Sequence, residues 1–134
     1  MKAVVDTRFL MNSLENPDEQ FKRFSKSILQ TIQTKANTGI VPSIVIHEFY
    51  KLQLEDSGKE VAELRTSSIL KLDLEIADLN VPVAIEAAKL RCKYAELPTA
   101  DAIIAATAIA TGCDFVLTDD RHFRQIKEIK TRWV

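Results

Sequence analysis

Four acidic positions stand where a carboxylate is a poor choice for packing. Asp6 closes the apolar run Ala3-Val4-Val5, and Glu48 sits within the stretch IVIHEFY. Asp101 is the only charge in residues 97–112, and Asp120 follows Asp119 just after Phe115-Val116-Leu117-Thr118. Carboxylates gathered in one place repel each other unless something positive lies among them. The sequence has no Cys/His ligand spacing, so the natural counter-charge is a hard, oxygen-seeking cation, Mg²⁺ or Mn²⁺. Such an ion lowers the pKa of a water and stabilises charge on a leaving oxygen, the two needs of phosphodiester hydrolysis. No protein nucleophile is then required, and no Ser-His-Asp or Cys-His set is evident.

Each acid also has a plainer reading. Asp6 can cap the next helix, Glu48 can pair with Lys51, Asp101 can complement a helix dipole, and Asp119-Asp120 can be turn residues. Their joint order favours chemistry, because each falls at a strand end or on the helix that follows. In an open parallel sheet, ligands bind at the carboxyl ends of the strands.

The elements that must position these groups follow from periodicity and punctuation. Residues 3–5 predict a first strand, and Thr7 to Leu14 a short helix with Phe9, Leu10 and Leu14 inward. Asn16, Pro17 and Glu19 read as the capped start of a second helix. Phe21, Phe24, Ile28 and Ile32 give it a buried stripe, and Gly39 its stop. Ile40-Val41 is a minimal strand. Ser43 is the expected N-cap of a helix reaching Gly58, with Ile44, Val45, Phe49 and Leu52 supplying apolar contacts. A further helix over residues 59–72 buries Val61, Leu64, Ile69 and Leu72.

Residues 74–79 alternate as a short strand, and residues 83–94 form a helix with Ala84, Ala87, Ala88 and Leu90 apolar and a basic end. The helix headed by Asp101 turns at Gly112 into the strand Phe115-Val116-Leu117, and residues 129–133 form an edge strand anchored by Trp133. Strands alternating with helices predict an α/β fold with a mainly parallel sheet covered on both faces.

Composition narrows the function classes. A chain of 134 residues suits one domain, residues 1–134, with a single core. Net charge is −1 and the pI about 6.1, so any nucleic-acid contact must come from a local basic patch. Aromatic residues are only 7%, against a base-stacking platform. Cys92 and Cys113 match no zinc or redox spacing and read as thiols in a reducing compartment. No apolar run reaches the ~20 residues of a membrane span, and the start MKAVVDTRFL reads as a strand, not a signal peptide. The expectation is a cytoplasmic protein with no membrane contact.

The segments VVDTRFL, PSIVIHEFY, ADAIIAATAIATG and VLTDDRHF together resemble a PIN-domain ribonuclease, most of all the small VapC-like toxins of VapBC toxin–antitoxin pairs. The likeness covers nearly the whole chain. It implies a three-layer α/β/α fold around a central sheet of four to five strands. It implies a metal site built from Asp6, Glu48, Asp101 and Asp120, serving Mg²⁺ or Mn²⁺. Thr7 and Thr118 match supporting hydroxyls, and Asp119 fills the variable place beside the last ligand. The family activity is endonucleolytic cleavage of RNA, commonly by a homodimer neutralised by a cognate antitoxin.

Arg8 and the basic segment Arg121, Arg124, Lys127, Lys130 and Arg132 are candidates for RNA phosphate contact, although a solvated charged face is the alternative. His47 and His122 adjoin proposed ligands and read as surface or packing residues. The helices within residues 16–37 and 43–72 are candidate dimer or antitoxin surfaces. Alternative functions are an RNA-processing or DNA-acting nuclease without an antitoxin, and a catalytically silent nucleic-acid-binding domain. A receiver-like phosphorylation domain fits poorly, since it needs an early acid pair and a late lysine.

Overall fold

The apolar run before Asp6 becomes β1 (Lys2–Val5), the middle strand of a five-stranded sheet in the computed structural model, which describes residues 1–132. Beside it lie β2 (Thr38–Pro42) and then β3 (Glu75–Ala77); on its other side lie β4 (Phe115–Leu117) and then β5 (Thr131–Arg132). Every pairing is parallel, with Val4 opposite Ile40 on one side and Val116 on the other. The chain therefore builds outward from β1 in one direction and later returns to build in the other. The cleft between the ends of β1 and β4 is the topological switch point, where open parallel sheets bind ligands.

Seven helices among the described residues cover the sheet in a three-layer α/β/α arrangement: α1 (Thr7–Glu15), α2 (Glu19–Thr31), α3 (Ser43–Ser57), α4 (Lys59–Leu70), α5 (Val81–Lys93), α6 (Thr99–Ala110) and α7 (Arg121–Arg124). The central one is α6. Residues 102–108 are all buried, because alanine on most sides keeps the helix narrow enough to lie between the sheet, α3 and α5. A helix apolar all round has no solvent face to present. Burying each of its isoleucines contributes about 1.5–3 kcal/mol. Phe9, Ile40, Phe49, Leu117 and Phe123 complete the core.

Several local expectations are corrected. The second helix is shorter than predicted: Asp18, not Asn16, caps it by accepting from the amides of Gln20 and Phe21, and it ends at Thr31. Its buried face is turned toward Ser25, Leu29 and Ile32, leaving Phe24 50% exposed. Ser25 tolerates burial because its hydroxyl donates to the Phe21 carbonyl at 3.0 Å. Gly39 is not the helix stop but lies inside β2, where an added Cβ would come within 2.5 Å of Leu74. Ser43 is already helical, and its hydroxyl accepts from the Leu79 amide instead of capping.

The apolar faces of α3, α4 and α5 are also narrower than expected. Leu52, Leu64, Ala84 and Ala88 are exposed, while Ala62, Thr66, Val83 and the fully buried Gln53 take inward places. Gln53 is satisfied there by Glu15 at 2.9 Å and Arg65 at 2.6 Å. The edge strand is Thr131–Arg132; Trp133 lies outside the described residues.

Candidate metal centre

Asp6 is the first residue beyond β1, and its backbone leaves the strand to start α1. Its carboxylate caps that helix through the Thr7 amide at 2.7 Å, so the capping reading is correct as far as it goes. The other oxygen, Oδ2, accepts from Thr118 Oγ1 at 2.6 Å. Thr118 follows β4, and the register that sets Val5 beside Leu117 brings the two side chains together. The same hydroxyl accepts from the Asp120 amide at 3.0 Å, which fixes the turn into α7. Asp120 then caps α7 by accepting from the His122 amide at 2.9 Å.

The remaining acids arrive from helices that begin at this edge of the sheet. Asp101 lies in the first turn of α6, three residues past a proline cap that offers no side-chain acceptor. Glu48 reaches in from α3, where Oε1 accepts from Thr7 Oγ1 at 2.9 Å. The expected alternative partner, Lys51, instead pairs with Glu55 at 2.7 Å.

Burial and crowding leave their mark on the protons. Burial pushes the Asp6 carboxyl up to about 6; the bonds from Thr118 and Thr7 hold it down, while Glu48 and Asp120 raise it. Burial also pushes Asp101 up to about 7, and Asp120 and Asp6 add to the rise. Acids raised by burial, with neighbouring carboxylates adding to the rise, mark a candidate functional cluster.

Asp119 faces the other way. Its carboxylate takes both Nε and Nη2 of Arg8, a two-point pairing at the rim of the cluster. Beyond it lies an open groove of about 440 Å³ lined by Arg8, Asp119, Asp120, Arg121, His122 and Arg124. Of the expected phosphate contacts, Arg8, Arg121 and Arg124 share this groove. Lys127 is exposed but is not among its lining residues, and Arg132 lies over the Phe115 ring at 5.2 Å.

His122 is the residue that sequence reasoning undervalued. Its Nδ1 is shielded from solvent, 2.9 Å from Asp120 Oδ1 and 3.4 Å from Asp101 Oδ2, yet hydrogen-bonded to neither. One ligand atom each from Asp101, Asp120 and His122 lies within 4.8 Å of the others. The available signal was its place two residues after Asp120. His47, by contrast, is exposed. This donor set of carboxylate oxygens with one orphaned nitrogen suits a divalent cation.

Among curated proteins, none matches the chain in sequence. Several solved structures share its fold. VapBC2 of Rickettsia felis, bound to a DNA fragment from its promoter, is 20% identical with a TM-score of 0.81, covering 98% of both chains. VapC20 of Mycobacterium tuberculosis, a sarcin-ricin loop cleaving toxin, is 16% identical with a TM-score of 0.74, covering 93% of this chain and 95% of its own. A toxin–antitoxin complex from Klebsiella pneumoniae is 20% identical with a TM-score of 0.70, covering 98% of this chain and 99% of its own. At such identities the likeness is one of fold. The PIN domain model matches residues 3–129, and the chain belongs to the PIN domain family.

Proposed function

We propose that this chain is a divalent-cation-dependent endoribonuclease that hydrolyses phosphodiester bonds of single-stranded RNA in the cytoplasm. We further propose that it is the toxin of a toxin–antitoxin pair. The observation that supports the reading is that Asp101 and Asp120 bring ligand atoms within 4.8 Å of each other and of His122, with Asp6 and Glu48 near enough to raise the Asp101 carboxyl, which burial pushes to about 7. A bound cation removes the cost of ionising them together.

Asp6, Asp101, Asp120 and Glu48 are the residues that would hold Mg²⁺ or Mn²⁺. When bound, the ion supplies Lewis acidity toward a water and the leaving oxygen. The chain's own groups do the positioning. Thr118 and the Thr7 amide fix both oxygens of Asp6. Thr7 holds Glu48 Oε1, which orients that carboxylate. Asp119 keeps the Arg8 guanidinium at the rim, where with Arg121 and Arg124 it can bind RNA phosphates.

The toxin role draws support from the fold shared with VapC20 and with the Klebsiella toxin–antitoxin complex. Exposed Phe24, Leu52, Leu54 and Leu64 offer apolar surface for an antitoxin or for a second copy in a homodimer.

The test is incubation of purified protein with mixed single-stranded RNA under Mg²⁺, Mn²⁺ or EDTA, beside an Asp101→Asn variant of verified fold. Cation-dependent cleavage that the variant loses supports the reading. Equal cleavage by both proteins sinks the site. Cleavage of DNA alone moves the substrate to the DNA-acting alternative.

A further inference from the structure

We propose that His122 is a protein ligand to the cation at the acidic centre, bound through Nδ1, and that it biases the site toward Mn²⁺ over Mg²⁺. The inference rests on the reading of the acidic cluster as a cation site, and it extends the ligand set beyond the four carboxylates.

The first observation is the state of Nδ1. It is shielded from solvent and lies 2.9 Å from one carboxylate oxygen and 3.4 Å from another without a hydrogen bond to either. The nearer oxygen, Asp120 Oδ1, already accepts from the His122 backbone amide. A buried polar atom without a partner is costly, and structures seldom leave one so. A neutral imidazole with its proton on Nε2 presents a lone pair at Nδ1. With the proton on Nε2, that lone pair is placed to meet a cation lying between the two carboxylate oxygens.

The second observation is spacing. Donor atoms sharing one ion at bonds of about 2.1 Å lie roughly 3 to 4.2 Å apart. The ligand atoms of Asp101, Asp120 and His122 fall within 4.8 Å of one another, so a small inward movement completes the set.

The third is placement. Asp120 and His122 belong to one rigid turn, because Asp120 caps α7 and the fully buried Phe123 anchors it. The imidazole is therefore delivered by the same local structure that delivers the carboxylate. Its side chain is 36% exposed, and with Nδ1 shielded that exposure falls elsewhere on the ring, which leaves the Nε2 proton free for solvent or substrate.

The consequence is selectivity. Mg²⁺ prefers oxygen ligands and sheds water reluctantly; Mn²⁺ also takes oxygen ligands, but as a first-row transition ion it accepts an imidazole nitrogen more readily than Mg²⁺ does. One nitrogen among oxygens thus strengthens Mn²⁺ binding more than Mg²⁺ binding.

The experiment is pulsed electron paramagnetic resonance on the full chain loaded with Mn²⁺, with and without ¹⁵N-labelled histidine. The chain has two histidines, so variants separate them. A nitrogen coupling that changes with the label, survives His47→Gln and disappears in His122→Gln is the expected result. Calorimetry should then show Mn²⁺ affinity falling about tenfold in His122→Gln, with Mg²⁺ affinity changing less than about threefold. Bound Mn²⁺ with no nitrogen coupling in the unmutated protein overturns the proposal, without any question of misfolding. Equal losses for the two metals also overturn it, since they mark a residue that merely orients Asp101 and Asp120. Failure of the folded protein to bind Mn²⁺ at all overturns the underlying cation-site reading as well.

Discussion

Thr118 Oγ1 donates to Asp6 Oδ2 at 2.6 Å, joining the ends of β1 and β4 where the strand order reverses. The bond is buried and sits between two segments 112 residues apart in sequence. It also lowers the Asp6 pKa against the larger effect of burial. The hydroxyl thus has two effects: it aims one carboxylate oxygen and helps keep the acid ionised.

Thr118→Val preserves shape and removes both the bond to Asp6 and the acceptor for the Asp120 amide. The expected result is a folded protein destabilised by about 1–3 kcal/mol in urea. Its cation affinity should fall about tenfold or more, as when a group that orients a metal ligand is lost. Thr118→Ser should retain most of both. Wild-type Mn²⁺ affinity in the valine variant would remove Thr118 from the site.

Arg8 and Asp119 make a separate prediction because they pair with each other at the rim of the groove. Asp119→Asn should leave Mn²⁺ affinity within about threefold, whereas Asp120→Asn should lower it by about tenfold or more. Arg8→Ala should raise the KM for RNA with little change in kcat. It should also flatten the dependence of log affinity on log salt by about 0.7, one phosphate contact on a single strand. An unchanged salt slope would show that Arg8 does not meet the RNA backbone.

The four acids stand out in the sequence because each breaks an apolar run, and the parallel sheet was legible because strands and helices alternate. What escaped depended on contacts distant in sequence. The stripe Phe21, Phe24, Ile28 and Ile32 suits an amphipathic helix, but Ser25, Leu29 and Ile32 suit one too, and the packing of α1 against α2 decides between them. Gly39 reads as a helix stop because that is a common use of glycine. Its need for close approach arises from Leu74, in the segment that leads into β3. His122 gains its meaning from Asp101, two elements earlier.

Gly39 accordingly predicts a stability effect with no direct effect on the site. A methyl group there would stand 2.5 Å from Leu74 Cδ2 and 2.9 Å from Ile32 Cδ1. Overpacking typically costs about 1–3 kcal/mol, and the stiffer unfolded chain returns about 0.4–1 kcal/mol. Gly39→Ala should therefore be net destabilising by about 1 kcal/mol in urea. Leu74→Ala in the same chain should absorb part of that loss, so the pair should be non-additive. Strict additivity would mean that Leu74 is not the obstacle.

Asp6 and Asp101 predict how the metal-free protein responds to pH. Their folded-state values, about 6 and about 7, lie above the ordinary 3.8 that the unfolded chain approaches. Between those limits the folded protein keeps protons that the unfolded chain has released. Stability then falls as pH rises, because it falls wherever the native state binds more protons. In EDTA the melting temperature should decline between about pH 4 and about pH 7, and Asp101→Asn should flatten the decline. Saturating Mn²⁺ should reverse the trend, stabilising most at the alkaline end, where it need not displace protons. Parallel curves for the wild type and Asp101→Asn would show that Asp101 does not carry the raised pKa assigned to it.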